Sequence, residues 1–229
     1  PGLFGAIART AEQRVGEFSP QNLANTAWAF AHADDVSPHV GTIALLAERL
    51  LDPAAERAGD DPIRLARVSS VAAALLTARL CVDASQPAAR ELDRLLRAAQ
   101  LQLDALSGRS PTSRLVSAVV SSRSQLELSS ALRVAGWEHE LEVPVQHGLL
   151  VLDMACERTR VAVEFDGPTH YVVDLTTGEE FYDGSSRWKS RVLEALGWRV
   201  YRVGWREWAG QPVDGRRRSR EEIVASLAA

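Results

Sequence analysis

The chain has 229 residues, a formal net charge of −4 and an apolar fraction of 46%, which suffices for one large domain or two modest ones with proper cores. No apolar run approaches the roughly 18 residues that a membrane-spanning helix needs, and the acidic balance argues against unspecific binding of polyanions by the whole surface. Cys81 and Cys156 lie far apart without neighbours at metal-ligand spacing, so no disulfide framework is predicted.

Residues 1–106 are predicted to form α-helical hairpin repeats. Three segments begin with the same signal, an oxygen-bearing residue followed by proline, at Ser19-Pro20, Ser37-Pro38 and Asp61-Pro62. Such a pair favours a helix start, because the oxygen caps a free N–H group and proline needs no N–H in the first turn. Apolar residues follow at helical spacing, and a fourth helix is predicted from about Pro87. The helix pairs begin about 42 residues apart, at Pro20 and Pro62, which indicates a degenerate α-solenoid.

The pattern changes after these helices. Residues 107–120 begin with the run Ser-Gly-Arg-Ser-Pro-Thr-Ser, which breaks the helical periodicity and predicts a linker. A second domain is predicted over residues 121–208, and residues 209–229 are predicted to form a basic arm. The predicted elements of this domain are a helix, three strands, a loop, a helix and a strand, at 124–135, 137–145, 149–155, 160–166, 167–185, 186–196 and 198–203.

The predicted fold class is therefore α + α/β. N-terminal α-helical hairpin repeats precede a small αβββαβ domain. A three-stranded meander followed by a crossover helix and one more strand gives a small mixed sheet with helices packed on it.

Three acidic residues lie on the hairpin of the second and third predicted strands. Glu164 and Asp166 share a face because side chains alternate along a strand, and a short hairpin sets Asp153 next to them. Three converging carboxylates repel one another unless a cation, an arginine or shared protons relieve them. A divalent ion such as Mg²⁺ that bridges to phosphate fits this chemistry. Neutralisation by arginines of the basic helix, or a solvated face, would explain the same residues structurally.

The last part of the chain is strongly basic. The 26 basic residues are 25 arginines and one lysine, Lys189. Between residues 187 and 220, ten basic residues stand against Glu194, Glu207 and Asp214, a local charge of +7. These ten are Arg187, Lys189, Arg191, Arg199, Arg202, Arg206, Arg216, Arg217, Arg218 and Arg220. The run is a candidate phosphate-facing surface, and a solvated helix face with a flexible arm is the structural alternative.

One segment reads Val163-Glu164-Phe165-Asp166-Gly167-Pro168-Thr169-His170-Tyr171. It resembles the V-E-x-D-G-P-x-H core of RAP domains. Residues 184–198 are similar to the second signature of that family, and residues 205–208 are similar to its aromatic end, so the resemblance covers residues 121–208. RAP domains occur in organellar RNA-binding proteins of apicomplexans, algae, plants and animals. They resemble the very-short-patch-repair branch of the PD-(D/E)XK nucleases, which implies a restriction-endonuclease-like fold.

The helix predicted at residues 18–31 resembles octotricopeptide-type repeats, which often precede RAP domains in algae and alveolates. Together the two resemblances imply an organellar RNA-binding protein that binds or stabilises rRNA as a component or assembly factor of a mitochondrial ribosome. The expected location is the mitochondrion, with the plastid as the alternative. The expected partners are organellar rRNA and other proteins of a ribonucleoprotein assembly. No membrane is expected, and no cofactor apart from Mg²⁺ if the domain is catalytic.

The nuclease pattern carries over only in part. By resemblance Asp153 is its first acid and Glu164 its second, but Asp166 stands where the nuclease pattern has the lysine that stabilises charge on the reacting oxygens. Lys189 on the following helix is a candidate to replace that lysine, and His170 is a candidate acid or base near neutral pH. The alternative function is therefore a metal-dependent endonuclease acting on RNA or DNA, with Mg²⁺ held by the three acids.

The favoured hypothesis is RNA binding without catalysis. The helical half docks on RNA or a protein, and the second domain grips RNA through His170 and the ten basic residues between 187 and 220. The third hypothesis is a protein-interaction scaffold whose acidic surface meets basic partners.

Overall fold

The computed structural model describes residues 2–52, 62–107, 121–213 and 216–228. The chain divides into two compact units, residues 1–114 and 115–229. The first unit is helical and the second contains a small mixed sheet, as the sequence predicts. The predicted linker at residues 107–120 lies outside the described residues except for Ser107, where the last helix of the first unit ends.

The helices of the first unit are α1 (Leu3–Arg14), α2 (Pro20–Ala31), α3 (Val40–Leu51), α4 (Pro62–Leu80) and α5 (Pro87–Ser107). Helix α2 begins as predicted, because Ser19 Oγ accepts the N–H of Asn22 at 3.2 Å and Pro20 occupies the first turn. At the second start signal the chain first forms a 3-10 turn, Ser37–His39, before α3. Asp61 of the third signal lies outside the described residues.

The core of the first unit lies between α2, α3, α4 and α5. Helix α2 packs against α3 and α4, and α4 packs against α5. The apolar stripe of α2 is buried, with Phe30 1% and Ala27 0% exposed. The helical structure of this region is confirmed, whereas its assignment to octotricopeptide-type repeats stays a prediction. Among the described residues, no helix is long and apolar enough to cross a membrane.

The elements of the second unit are α6 (Arg123–Val134), β1 (Glu140–Val145), β2 (Leu150–Cys156), β3 (Val161–Asp166), β4 (Tyr171–Val173), β5 (Glu180–Tyr182), α7 (Gly184–Ala195), β6 (Arg199–Gly204), α8 (Trp205–Trp208) and α9 (Arg220–Ala228). The main sheet has the order β1-β2-β3-β6, in which β1, β2 and β3 are antiparallel neighbours and β6 runs parallel to β3. The predicted αβββαβ order is therefore confirmed.

The stretch predicted as a loop contains a second, two-stranded sheet, formed by β4 and β5. Its register pairs Tyr171 with Tyr182 and Val172 with Phe181. Each strand has three residues, which is too short for alternation to identify a strand in a segment rich in turn-forming residues.

Helices cover the two faces of the main sheet in different ways. On one face, Met154, Val163 and Val203 form a buried apolar cluster with Leu128 and Leu132 of α6. On the other face lies α7, whose Lys189 reaches Glu164 of β3 and whose Ser190 accepts a hydrogen bond from Arg202 of β6. The acidic residues of β3 therefore point towards α7 and away from the apolar cluster.

Part of the predicted basic arm, residues 209–229, forms helix α9 and packs on the main sheet. Ile223 and Val224 are 1% and 8% exposed and belong to the apolar cluster beneath the sheet. Ile223, Val224 and Leu227 span little more than one helical turn, which is too short a stripe to reveal a core helix beside the arginines at residues 216–220. Ile223 and Val224 of α9 are therefore part of the second unit's core.

We expect Ile223→Ala to lower the free energy of unfolding of the second unit by about 2–5 kcal/mol, because a fully buried side chain leaves a cavity when it is truncated. Urea unfolding followed by circular dichroism measures the change. Glu221→Ala, at an exposed position of the same helix, is the control and should change it by less than about 1 kcal/mol. Equal, small effects of both substitutions would contradict the packing of α9 into the core.

Candidate nucleic-acid interface

Two acids of the predicted cluster lie side by side on the β2–β3 hairpin. The backbone N–H of Asp153 donates to Glu164 Oε1 at 3.4 Å, and the N–H of Phe165 donates to Asp153 Oδ2 at 2.8 Å. Glu164 is 3% exposed, whereas Asp153 is half-buried. The structure thus brings Asp153 next to Glu164, where the predicted hairpin sets it.

A third carboxylate near this pair comes from Glu142 of β1, which the sequence did not identify. Its Oε1 accepts hydrogen bonds from Ser121 Oγ at 2.6 Å and from Gln125 Nε2 at 2.8 Å. Alternation along β1 groups Glu142 with the exposed glutamates at 138 and 140. The backbone of Glu142 has a φ of +51°, however, which interrupts the regular strand and its alternation. Periodicity therefore could not find this residue.

The two acids of β3 are each matched by a cation. Lys189 of α7 contacts Glu164 Oε2. Arg202 of β6 holds Asp166 with two hydrogen bonds, from Nε at 2.7 Å and from Nη2 at 2.5 Å. Asp166 is 1% exposed, and burying a carboxylate this deeply is costly unless a hydrogen-bonded cation pairs with it.

The pKa of Asp153 is raised to about 7, first by burial and next by the charge of Glu164, while Lys189 partly offsets both. The carboxyl group therefore takes up and releases a proton near neutral pH. Neither Lys189 nor Arg202 forms its ion pair with Asp153, whereas Glu164 and Asp166 each have such a partner. Proton uptake thus relieves the charge of Asp153 next to that of Glu164.

The acids are not arranged to hold a metal ion. Among the residues that the structure describes, no group of three His, Cys, Asp or Glu side chains has a suitable geometry. Lys189 occupies an oxygen of Glu164, and Arg202 occupies both oxygens of Asp166. The donors therefore do not fit the Mg²⁺ of the nuclease alternative. The structural alternative, neutralisation by cations, describes Glu164 and Asp166 better. The sequence suggested arginines of the basic helix for this, whereas the structure has a lysine of α7 and an arginine of β6.

His170 lies on the Asp166 side of the cluster. It ends the 3-10 turn Pro168–His170, and its Nδ1 is 2.9 Å from Ser186 Oγ and 3.7 Å from Asp166 Oδ1. The imidazole therefore joins the turn after β3 to the first turn of α7. Its side-chain contacts are with Ser186 and Asp166 and not with Asp153 or Glu164, which supports a structural role for His170.

The ten basic residues of the run from 187 to 220 separate into two groups. Five form ion pairs with acids elsewhere in the unit, namely Lys189 with Glu164, Arg202 with Asp166, Arg206 with Glu180, Arg218 with Glu207 and Arg220 with Glu127. The second group is defined by its exposure and comprises Arg187, Arg191, Arg199, Arg216 and Arg217. The local charge predicted from the sequence is thus partly compensated, and these five carry the cationic surface.

Arg187 and Arg191 lie on the same exposed face of α7. They are four residues apart, which places them about 6 Å apart along the helix axis on neighbouring turns. The opposite face of the helix buries Trp188, Val192 and Leu193. The periodicity of α7 therefore sends these two arginines to solvent and Lys189 to the sheet.

A cleft of about 820 Å³ lies between the β4–β5 hairpin and α8. Its lining includes four aromatic residues and three arginines, namely Tyr171, Phe181, Tyr182, Trp205, Arg187, Arg202 and Arg206. The guanidinium of Arg206 lies 5.2 Å from the centre of the Trp205 ring. The sequence did not identify this cleft, although the interleaving of aromatic residues and arginines at 181–187 and 201–208 was a signal for it.

One wall of the cleft is a stacked pair of tyrosines. The rings of Tyr171 and Tyr182 are 4.9 Å apart with an interplanar angle of 28°, and Arg202 lies 5.0 Å over the Tyr182 ring. A Cβ atom at position 204 would lie 2.7 Å from the hydroxyl oxygen of Tyr171. Gly204 therefore allows the hairpin to approach the end of β6, which closes this side of the cleft.

The comparisons with known proteins locate a family match on this unit. A RAP domain is found at residues 163–221. The match begins in β3 and ends in α9, so both of its bounds lie later in the chain than those of the resemblance at 121–208. It includes the β4–β5 hairpin, α7 and the residues that line the cleft. No match was found among curated proteins or among solved structures.

We expect Asp153→Asn to stabilise the protein increasingly as the pH rises. A carboxyl group with a raised pKa stabilises the fold below its unfolded pKa of about 4, and this stabilisation is lost as the pH rises through about 7. The free energy of unfolding of the variant should match that of the wild type near pH 4 and exceed it by on the order of 4 kcal/mol at pH 8.

Urea unfolding over this pH range measures the difference. Asp174→Asn is the contrast, because the N–H groups of Thr176 and Thr177 lower the pKa of Asp174, so the neutral variant should lose stability above pH 4. A pH-independent effect of Asp153→Asn would show that the pKa of Asp153 is not raised.

We expect Arg202→Met to lower the free energy of unfolding by about 3–5 kcal/mol, because it leaves the buried charge of Asp166 without its bidentate partner. Adding Asp166→Asn should recover part of the loss, because the uncompensated charge is then absent. A double-mutant cycle by urea unfolding measures this recovery, and strictly additive losses would contradict the coupling of the two residues.

Proposed function

We propose that the second unit binds RNA. The observation that carries this proposal is the position of Arg187 and Arg191, which lie on one exposed face of α7 within the RAP domain, a domain to which RNA binding is ascribed. Arginine suits this role because its planar guanidinium binds phosphate with two N–H groups. Exposed arginines also release counterions from RNA, which supplies most of the affinity for a nucleic-acid backbone.

The ion pairs inside the unit support the same proposal. Lys189 and Arg202 compensate Glu164 and Asp166, so the acids of β3 do not oppose an approaching polyanion. The cations that remain exposed lie on α7, at the start of β6 and before α9. RNA binding is thus assigned to Arg187, Arg191, Arg199, Arg216 and Arg217, and the role of Lys189 and Arg202 is internal.

The RNA is proposed to be organellar rRNA. The support is the resemblance of residues 18–31 to octotricopeptide-type repeats and of residues 163–171 to the core of RAP domains. The protein would then bind or stabilise rRNA as a component or assembly factor of a mitochondrial ribosome, and the plastid is the alternative location. In this proposal the helical unit docks on RNA or on another protein of the assembly.

We expect the double variant Arg187→Ala/Arg191→Ala to bind RNA more weakly and with a smaller dependence on salt. The plot of log affinity against log salt concentration should lose about 0.7 of slope for each arginine that contacts a single-stranded phosphate. Fluorescence anisotropy with a labelled oligouridylate of about 12 nucleotides measures both quantities.

Arg123→Ala is a matched control, because Arg123 lies on α6, which packs on the opposite face of the sheet, and is 93% exposed. It should leave the slope unchanged. An unchanged slope in the double variant would overturn the assignment of α7.

The organellar proposal has its own test. A tagged chain should enter mitochondria, co-sediment with ribosomal subunits and crosslink to rRNA. Crosslinks confined to messenger RNA would reject the ribosomal role. If the tagged chain co-purifies with the same proteins after RNase treatment and crosslinks to no RNA, the scaffold hypothesis replaces RNA binding.

The second candidate is a metal-dependent endonuclease. Lys189 lies beside the second acid of the nuclease pattern, next to Asp153, as a relocated lysine of that pattern would, but the same contact occupies a Glu164 oxygen that a metal ion would need. It requires cleavage of RNA or DNA that depends on Mg²⁺ or Mn²⁺ and that Asp153→Asn abolishes. Cleavage that survives this substitution would reject the candidate.

A further inference from the structure

We propose that the cleft between the β4–β5 hairpin and α8 takes an unpaired nucleobase of single-stranded RNA. The base would lie against Phe181 and Trp205, with its phosphate at Arg187. This inference rests on the proposed RNA binding and names the kind of RNA and the residues that select it.

The lining of the cleft has the composition that unpaired bases require. Proteins bind single-stranded RNA by stacking bases on aromatic rings and on arginine guanidinium planes, because every base has a π-face. Phe181 is 49% exposed, and Trp205 is half-buried beside the guanidinium of Arg206. An exposed ring and a ring that carries a cation are therefore available at the same cleft.

The size of the cleft suits a nucleotide. Its volume of about 820 Å³ lies within the range of about 300–1,000 Å³ that is usual for small-molecule sites. A base in an A-form duplex is stacked and paired, and it cannot enter such a cleft without leaving its helix. The cleft therefore favours single strands over duplexes.

The wall of the cleft is built before any ligand arrives. Tyr171 and Tyr182 stack on each other, and Gly204 leaves room for the Tyr171 hydroxyl. The N–H of Asp183 donates to the carbonyl of His170 at 2.9 Å, which closes the base of the hairpin next to α7. Little conformational entropy remains to be lost on binding, which raises the affinity for a ring of fitting shape.

The charges around the cleft direct the phosphate to one side. Glu180 is paired with Arg206 at 2.7 Å, and Glu207 is paired with Arg218 at 3.0 Å. Glu179 adds an exposed carboxylate at the hairpin side of the lining. Arg187, in the first turn of α7, lies near the positive end of the helix dipole. The phosphate is therefore expected at Arg187 rather than at the hairpin.

The test compares RNA ligands and aromatic variants by fluorescence anisotropy. The probes are a labelled oligouridylate, the same chain with abasic positions, and a blunt RNA duplex, each of about 12 nucleotides. The wild type should bind the single strand more tightly than the duplex and the abasic chain. Phe181→Ala and Trp205→Ala should each weaken binding of the single strand by about 5-fold to 100-fold, without changing the salt slope, because stacking releases no counterions.

Two further variants separate stacking from damage to the fold. Trp205→Phe retains an aromatic face and should restore most of the affinity that Trp205→Ala loses. Leu175→Ala, at a 97% exposed position in the turn of the same hairpin, does not line the cleft and should change nothing. Equal weakening by Trp205→Ala of the intact and the abasic strand would overturn the base site.

The outcomes distinguish this inference from the proposed function. If the arginine variant changes the salt slope while Phe181→Ala and Trp205→Ala leave the RNA affinity unchanged, only the base site is rejected. If no RNA probe binds the wild type, both proposals fail. If Leu175→Ala and Phe181→Ala instead remove a protein partner while RNA affinity is unchanged, the hairpin is a protein-docking element and the base site is again rejected.

Discussion

A buried ion pair joins four elements of the second unit. Arg202 of β6 holds both oxygens of Asp166 on β3, donates to Ser190 and to the carbonyl of Ser186 on α7, and stacks on Tyr182 of β5. Burial of a carboxylate that is 1% exposed is costly without such a partner. Arg202 therefore links the parallel strand pair, the crossover helix and the hairpin, and it also lines the cleft that the hairpin borders.

The same constraint decides how the charges of the unit are used. Buried acids on β3 require cations, and the sequence supplies them from the basic run that follows. At least five residues of that run form ion pairs, so a local charge counted from the sequence overstates the cationic surface of the unit. Position on α7 decides the outcome, because its period of 3.6 residues sends Arg187 and Arg191 outward and Lys189 inward.

Local signals predicted the elements that depend on periodicity and capping. Ser19 caps α2, the β2–β3 hairpin sets Asp153 beside Glu164, and α7 precedes the parallel strand β6, all as the sequence indicated. The missed features depend on tertiary contacts. Glu142 has a left-handed backbone, and its carboxylate accepts hydrogen bonds from Ser121 and Gln125. Ile223 belongs to the core only because α6 and the sheet lie next to α9. No pattern within one segment carries that information.

The topology of the sheet explains the position of the cleft. Strands β3 and β6 are parallel, and at their shared carboxyl end Asp166 pairs with Gly204 in the register. The chain leaves β3 into the β4–β5 hairpin and leaves β6 into α8, so the two excursions form opposite walls. Ligands of open α/β sheets bind at this end because the connections can vary there without disturbing the core. The acids inside the strands pair with cations of the fold, and the aromatic residues and arginines that line the cleft are the ones for which we propose RNA binding.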